Sequence, residues 1–297
     1  VLEYAVLRSH SGLPSLRGCL YYSQRLVIQP AIRRAAARII AAGINMLEQR
    51  PEPFAVAAGA EALRQMQTDG YAMLPDMLRP KQIDEILAYL GDKPLLMREG
   101  RCLGPAEARS QATVADLPLD VVLQCPHVLA AANNAFLIQL AIDYLGCMPT
   151  ISTIGMRWSF PGGEPSIQTQ HFHRDPDDWR FFKLFIYLSD VDAESGPHLY
   201  VKGTHCHAGT LRARRFERAE LERRYGREAI VALTGPRGTS FIADTYGIHA
   251  GPVPLSRPRL MLEIGYSILP VYSLSYRPRR IAQAHGLNRY VNRLLVR

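Results

Sequence analysis

His173-Arg174-Asp175-Pro176-Asp177-Asp178-Trp179, followed later by Asp244-Thr245-Tyr246-Gly247-Ile248-His249-Ala250-Gly251, is the pair of segments whose reading decides the fold. A histidine and an aspartate at i and i+2 fall on one side of an extended strand, because side chains alternate across a sheet. A second histidine brought alongside gives two imidazoles and one carboxylate. That set occupies one face of a divalent iron and leaves the other face open. A His-x-Asp triplet alone is a weak signal, since a lone histidine is more often a hydrogen-bonded core or surface residue. Its flanks strengthen it. Thr150 to Phe160 reads as a strand, Pro161-Gly162-Gly163-Glu164-Pro165 as a turn and Ser166 to His173 as a second strand. Phe181 to Leu188 is aromatic and aliphatic and too short for a helix, so a buried strand is expected after the motif.

With Tyr187-Leu188-Ser189-Asp190-Val191, Ser195-Gly196-Pro197 and Lys202-Gly203-Thr204-His205, these segments resemble the phytanoyl-CoA dioxygenase family of iron(II)- and 2-oxoglutarate-dependent oxygenases. Phe241 to Asp244, His249, Gly251 and Ser256-Arg257-Pro258-Arg259 are similar to that family's distal-histidine segment. Met66 to Asp76, with a helix from Lys81, is similar to its first strand and helix. The resemblance covers residues 60 to 270 in outline. It implies a double-stranded β-helix, or jelly roll, within an α+β chain. It also implies His173, Asp175 and His249 as ligands of Fe(II), with 2-oxoglutarate and O2 as co-substrates. The expected reaction is oxidation of a small-molecule substrate, by default hydroxylation, with release of succinate and CO2. Related halogenases replace the carboxylate ligand with a small residue, so Asp175 argues against halogenation.

The same resemblance implies Arg259 as the anchor of the distal carboxylate of 2-oxoglutarate, with Arg257 as the fallback. A guanidinium offers a planar fork to a carboxylate and stays charged at any working pH. The apolar Leu260-Met261-Leu262 that follows places Arg259 at the start of a buried strand, where an unpaired charge is costly. One position departs from the pattern. Gly251 stands where many relatives carry a hydroxyl residue, so the second contact to that carboxylate must come from elsewhere. Lys183, on one strand face with Phe185 and Tyr187, is a candidate for this contact or for substrate binding; a lysine at the strand's wet end is the plain alternative.

Other polar residues compete for roles. His171 could in principle replace His173, although the family register favours His173. Gln168 and Gln170 precede the motif and could hydrogen-bond a ligand or simply face water. Trp179 is expected to pack over the site entrance. His205-Cys206-His207 lacks a second ligand pair, which argues against a closed zinc site. Two other function classes remain: a metal-dependent isomerase or hydrolase on a cupin-like barrel, and a non-catalytic binding protein.

The chain has 297 residues, 47% of them hydrophobic, enough for one large core. Its net charge of +8 lies at the ends. Residues 1–55 hold seven arginines against three glutamates and residues 270–297 six arginines and no acid, which leaves 22 basic and 24 acidic residues between. The middle is therefore no basic groove, and nucleic acid is not an expected partner. Five scattered cysteines imply no disulfide framework. No run approaches the ~20 apolar residues of a transmembrane span, and Val1 to Val6 lacks the features of a signal peptide, so a cytoplasmic location is expected.

Residues 1–55 read as a helical extension joined through Glu48 to Pro53, and residues 56–297 as the jelly-roll domain. Within the extension, Pro30 to Leu47 fits a helix with Ile32, Ala36, Ile39, Ile40 and Met46-Leu47 on one side, a face for packing on the domain or on a second subunit of a homo-oligomer in preference to an anionic membrane surface. Further helices are expected at Lys81 to Leu90, Val128 to Leu145 and Ala213 to Tyr225, the last with Arg218–Glu222 and Glu220–Arg224 pairs. The connection at 206–229 is long enough to be a lid. Arg212, Arg214 and Arg215 in it would favour an anionic substrate.

Overall fold

The strand expected after the motif forms at Phe181–Tyr187 (β7), and its two faces serve different parts of the molecule. Phe182, Leu184 and Ile186 enter an apolar layer shared with helices, whereas Lys183, Phe185 and Tyr187 face the interior of the β core. The computed structural model describes residues 2–8, 14–49, 57–163, 168–212 and 214–297. In it β7 belongs to an eight-stranded antiparallel sheet. From one edge, the order is Tyr71–Leu74 (β2), Ser240–Ala243 (β10), β7, Arg259–Ser267 (β12), Thr150–Ser159 (β6), Val114–Asp116 (β5), Leu95–Leu96 (β3) and Cys102–Leu103 (β4). A smaller sheet joins His249–Ala250 (β11), His198–Val201 (β8) and Ile230–Leu233 (β9). Glu3–Tyr4 (β1) pairs with Leu274–Ser275 (β13) as a separate ribbon.

From β6 onward the chain passes back and forth between the two sheets. After β6 it reaches Phe172 and His173, which bridge Phe216 and His249 at the side of the smaller sheet. It then runs through β7 in the large sheet, β8 and β9 in the small one, β10 in the large, β11 in the small and β12 in the large. The sheets meet through Phe185, Tyr187 and Phe241 on one side and Tyr200 and Leu233 on the other.

Helices cover the other face of the large sheet. Pro30–Leu47, Ala57–Thr68, Pro80–Leu90 and Ala135–Leu145 all contribute to the layer that holds Phe182, Leu184 and Ile186. Ala135–Leu145 shows why such a helix forms. Asn134 caps it by accepting from the Phe136 N–H at 2.9 Å, and Gly146 ends it at φ +84°. Between the caps Leu137, Leu140, Ile142 and Leu145 are buried, each worth about 1.5–3 kcal/mol.

An α+β chain with most helices ahead of a β core is what the sequence pattern predicts, but several elements differ in detail. Val128 to Leu145 is not one helix: it breaks between Ala132 and Ala135. Its 18 residues reach a mean hydropathy of 1.4, enough by length and composition to cross a membrane, yet Leu137, Leu140 and Leu145 belong to the core. The helix expected at 213–225 is confined to Arg218–Tyr225; Arg218 pairs with Glu222 at 2.8 Å, while Glu220 pairs with Arg214 instead of Arg224. Gln168–Gln170 is a 3-10 turn, and among the described residues of the expected second strand only Phe172 and His173 find bridge partners.

Pro30–Leu47 has the expected bounds, but most of its apolar stripe does not face the domain. Its buried positions are Arg33, Ala37 and Ala41, while Ile32, Ile39 and Met46 are exposed. Arg33 tolerates burial because its guanidinium donates to the carbonyls of Gln24, Val27 and Asp178 and stacks 4.3 Å from the Tyr246 ring. Most of the join at Glu48 to Pro53, the Glu164-Pro165 end of the turn, Ala213 and the Gln168 side chain lie outside what is described.

Candidate active site

Backbone pairing brings the two distant segments of the motif together. His173 and His249 exchange N–H to carbonyl hydrogen bonds of 2.9 and 3.0 Å, and the Asp175 N–H donates to the Thr245 carbonyl at 2.9 Å. The two imidazoles then lie 4.2 Å apart between ring centres. Asp175 Oδ1 is 3.3 Å from His173 Nε2, and Oδ2 is 3.5 Å from His249 Nε2. One ligand-type atom from each of the three falls within 4.8 Å of the others.

Second partners set which nitrogen faces the cluster. His173 Nδ1 lies 2.8 Å from the His171 carbonyl and His249 Nδ1 3.0 Å from the Gly247 carbonyl. A carbonyl only accepts, so each Nδ1 carries the proton and each Nε2 turns a lone pair inward. His173 Nε2 is buried and has no hydrogen-bond partner among the described residues. His171 contributes its carbonyl, not its ring. Burial would raise the Asp175 carboxyl, but Lys183 and the two histidines outweigh it and hold the group well below the usual carboxylate range. Burial and the neighbouring His173 push His249 down, so its ring stays neutral. Burial also pulls on His173, where the Asp175 carboxylate 3.3 Å from Nε2 outweighs it and the net shift is upward. Two inward lone pairs and an ionised carboxylate fit a hard or borderline dication.

Arg259 opens β12 on the same face and is 3% exposed. Its Nη2 donates to Ser159 Oγ at 3.2 Å, whereas Nε and Nη1 are buried without a partner among the described residues. Burial lowers its pKa, and no carboxylate among the described residues stands beside it. A guanidinium left this way is costly unless an anion completes it, so the cavity fits a carboxylate-bearing co-substrate at this end. Gly251 explains the departure noted in the sequence: a Cβ there would sit 3.2 Å from Arg259 Nη2. The hydroxyl beside the guanidinium belongs to Ser159, which faces Arg259 across the β6–β12 pair. Arg257 is exposed and paired with Asp192 and Glu194.

Triad and Arg259 line one cavity of about 270 Å³. Lys183 lies in it and contacts Asp175 at 2.9 Å, Glu263 at 3.2 Å and Asp177 at 3.3 Å. Burial would lower the lysine's pKa, but these carboxylates hold it well above the ordinary value. Burial pushes Asp177 up to about 6. On β6, across β12 from Lys183 in the same sheet, Arg157 makes a forked pair with Asp116 at 2.7 and 3.2 Å. Gln170 also lines the cavity and donates to Thr113 Oγ1 at 3.2 Å. Tyr4 from β1 and Leu2 just ahead of it, with Leu274 from β13, close one side.

Ser159, Glu263, Arg157 and His198 were not singled out in the sequence. The first three follow a two-residue period from known positions: Arg157 and Ser159 on β6, Glu263 on the face of Arg259. His198 follows Gly196-Pro197 and stacks 5.4 Å from His249; burial and the charges around it keep it neutral. Trp179 is absent from the cavity wall and lies near Arg33, 5.6 Å from its ring centre. No described residue of 206–229 lines the cavity. Phe216 and Leu221 anchor that segment in a separate apolar cluster with Phe172, Val201 and Ile248, and its arginines are exposed. His205 and Cys206 contact one another at 3.3 Å outside the cavity.

Residues 66–256 match the model of the family described as phytanoyl-CoA dioxygenase (PhyH). No curated protein matches the chain in sequence. Among solved structures, EctD from S. alaskensis with 2-oxoglutarate and 5-hydroxyectoine is similar with a TM-score of 0.52 and 20% identity, over 84% of this chain and 93% of that one. The epimerase SnoN in complex with Fe3+, alpha ketoglutarate and nogalamycin RO is similar with a TM-score of 0.50 and 17% identity, over 78% of this chain and 90% of that one. Those likenesses are of fold.

Proposed function

The chain belongs to the phytanoyl-CoA dioxygenase family, and from that membership we propose that it oxidises a small molecule, by default through hydroxylation, at the cavity formed by His173, Asp175, His249 and Arg259. It is a non-haem iron, 2-oxoglutarate-dependent enzyme. The observation that carries the assignment of residues is the buried Arg259 guanidinium, short of partners and in one cavity with the triad. A metal-dependent isomerase or hydrolase, or a binding protein with a relict triad, has no use for that group.

His173 and His249 would hold iron through Nε2 and Asp175 through its carboxylate; when bound, iron and 2-oxoglutarate together activate O2, with succinate and CO2 as by-products. The chain's own residues bind and orient. Arg259 would grip the distal carboxylate, with Ser159 fixing the guanidinium and offering the second hydroxyl contact. Lys183 would hold Asp175 in position instead of touching 2-oxoglutarate, a role supported by its 2.9 Å contact with that carboxylate. The Leu2–Tyr4 ribbon would limit water at one side.

Residues 56–297 would form the catalytic unit, wound as a double-stranded β-helix; the passage of the chain between the sheets supports this. Residues 1–55 would form an accessory extension. Ile32, Ile39 and Met46 recur every seven residues on its exposed side, which supports a homo-oligomer formed there. All five cysteines are free, which supports a reducing, cytoplasmic setting. The functional reading is tested by thermal melts with manganese as an iron substitute: 2-oxoglutarate at a hundred times its Kd should add about 2.7 kcal/mol of stability. A melt indifferent to 2-oxoglutarate in the presence of metal contradicts it.

A further inference from the structure

Charge in the cavity is not evenly spread. Arg259 and Glu263 share a face of β12, four residues and hence about 13 Å of strand apart. Between them the Arg157–Asp116 pair is self-neutralising. At the Glu263 end one ammonium serves three carboxylates, those of Asp175, Asp177 and Glu263, all within 3.3 Å of Lys183 Nζ. A dication on the triad satisfies Asp175. Asp177 and Glu263 are then left with a single lysine and a surplus of one negative charge.

Counting the whole cavity gives the same result. Among the described residues four carboxylates line it, Asp116, Asp175, Asp177 and Glu263, against three cations, Arg157, Lys183 and Arg259. A bound dication and a 2-oxoglutarate dianion cancel, so the surplus stays at one negative charge. The Asp177 and Glu263 side chains are only 22% and 34% exposed, where water screens such a charge poorly. The arginines of Leu211–Arg227 cannot offset it, since none of them lines the cavity.

We propose that this surplus selects the prime substrate: a small molecule carrying an ammonium group, seated with its nitrogen against Glu263 and Asp177. Thr153, Thr169 and Gln170 supply hydrogen-bonding groups for hydroxyls on the same molecule, while Leu2, Val271 and Leu274 accept its carbon skeleton. This inference rests on the reading of Arg259 as the 2-oxoglutarate anchor. An acid of the same size meets the surplus as repulsion, and a neutral analogue leaves the charge uncompensated.

The test uses the full chain with manganese and 2-oxoglutarate, held anaerobic, and three probes on one skeleton: cyclohexylmethylamine, cyclohexylmethanol and cyclohexanecarboxylate. Calorimetric titration should find the amine about tenfold tighter than the alcohol and the carboxylate weakest, as expected for one poorly screened charge contact. Glu263→Gln should remove about tenfold from the amine alone and leave the affinities for the alcohol and for 2-oxoglutarate unchanged. An amine no tighter than the alcohol, a preferred carboxylate, or a Glu263→Gln loss shared equally by amine and alcohol overturns the proposal while the 2-oxoglutarate reading stands. If 2-oxoglutarate does not bind at all, both fall, because the charge count requires it.

Discussion

Replacing Arg259 by alanine should separate binding from stability. The guanidinium is 3% exposed, has one hydrogen bond, to Ser159, and leaves Nε and Nη1 unpaired among the described residues. With 2-oxoglutarate bound, those atoms would face a carboxylate, and removing one partner of such a buried charge pair costs about 3–5 kcal/mol. That is a rise in Kd of about 150-fold to 5000-fold. The substrate-free chain should respond differently, since truncation removes an uncompensated buried charge and its benefit offsets the lost packing. We expect a melting temperature within a few degrees of wild type, while affinity for manganese stays intact. Arg259→Lys should recover only part of the loss for want of the fork, and Ser159→Ala should cost about 0.5–1.5 kcal/mol of 2-oxoglutarate binding. Calorimetry on the manganese-loaded variants, paired with melts of the metal-free ones, reads both effects. Wild-type 2-oxoglutarate affinity in Arg259→Ala would refute the reasoning, as would its appearance in Arg257→Ala as the damaging change.

Asp178 offers a pH test. Burial pushes its carboxyl up to about 7 from an ordinary 3.8, so the folded chain holds the proton more tightly than the unfolded one. Below pH 3.8 both are protonated and no penalty exists; as pH rises to 7 the penalty grows to about 4 kcal/mol at most. Asp178→Asn should therefore gain stability relative to wild type between pH 4 and 8, and a difference that stays flat with pH refutes this. For the 206–229 connection, the burial of Phe216 and Leu221 leads us to expect slow hydrogen exchange near both, with or without 2-oxoglutarate. Fast exchange there that slows on 2-oxoglutarate binding would instead identify a closing lid.

How far the sequence could be read depended on the kind of signal. His173, Asp175 and His249 carry a rare combination at a workable spacing, and the strand period placed Lys183 with Phe185 and Tyr187. Arg259 came from the family resemblance, and the apolar run behind it pointed to its burial at the start of a strand. The cavity's other charged walls were not, although Ser159 and Glu263 lie on periods already in view, because strand pairing decides which faces meet. The Pro30–Leu47 helix shows the opposite difficulty: its length was plain, but its orientation follows from three carbonyls and two aromatic rings that receive Arg33. Ile32, Ile39 and Met46 of the apolar stripe therefore do not pack on the domain, which leaves the homo-oligomer alternative for them. Arginine-rich composition at 211–227 suggested substrate contacts, yet Phe216 and Leu221 tie that segment to another surface.

We infer that His173, Asp175 and His249 form the iron site. Anaerobic calorimetric titration with ferrous iron tests it most directly, on wild type and on Asp175→Ala and His249→Ala. Lys183 keeps Asp177 and Glu263 when Asp175 is removed, so that variant should remain folded by circular dichroism. One ion per wild-type chain, lost in both folded variants, is expected; stoichiometric ferrous iron retained in both overturns the assignment of the three ligands.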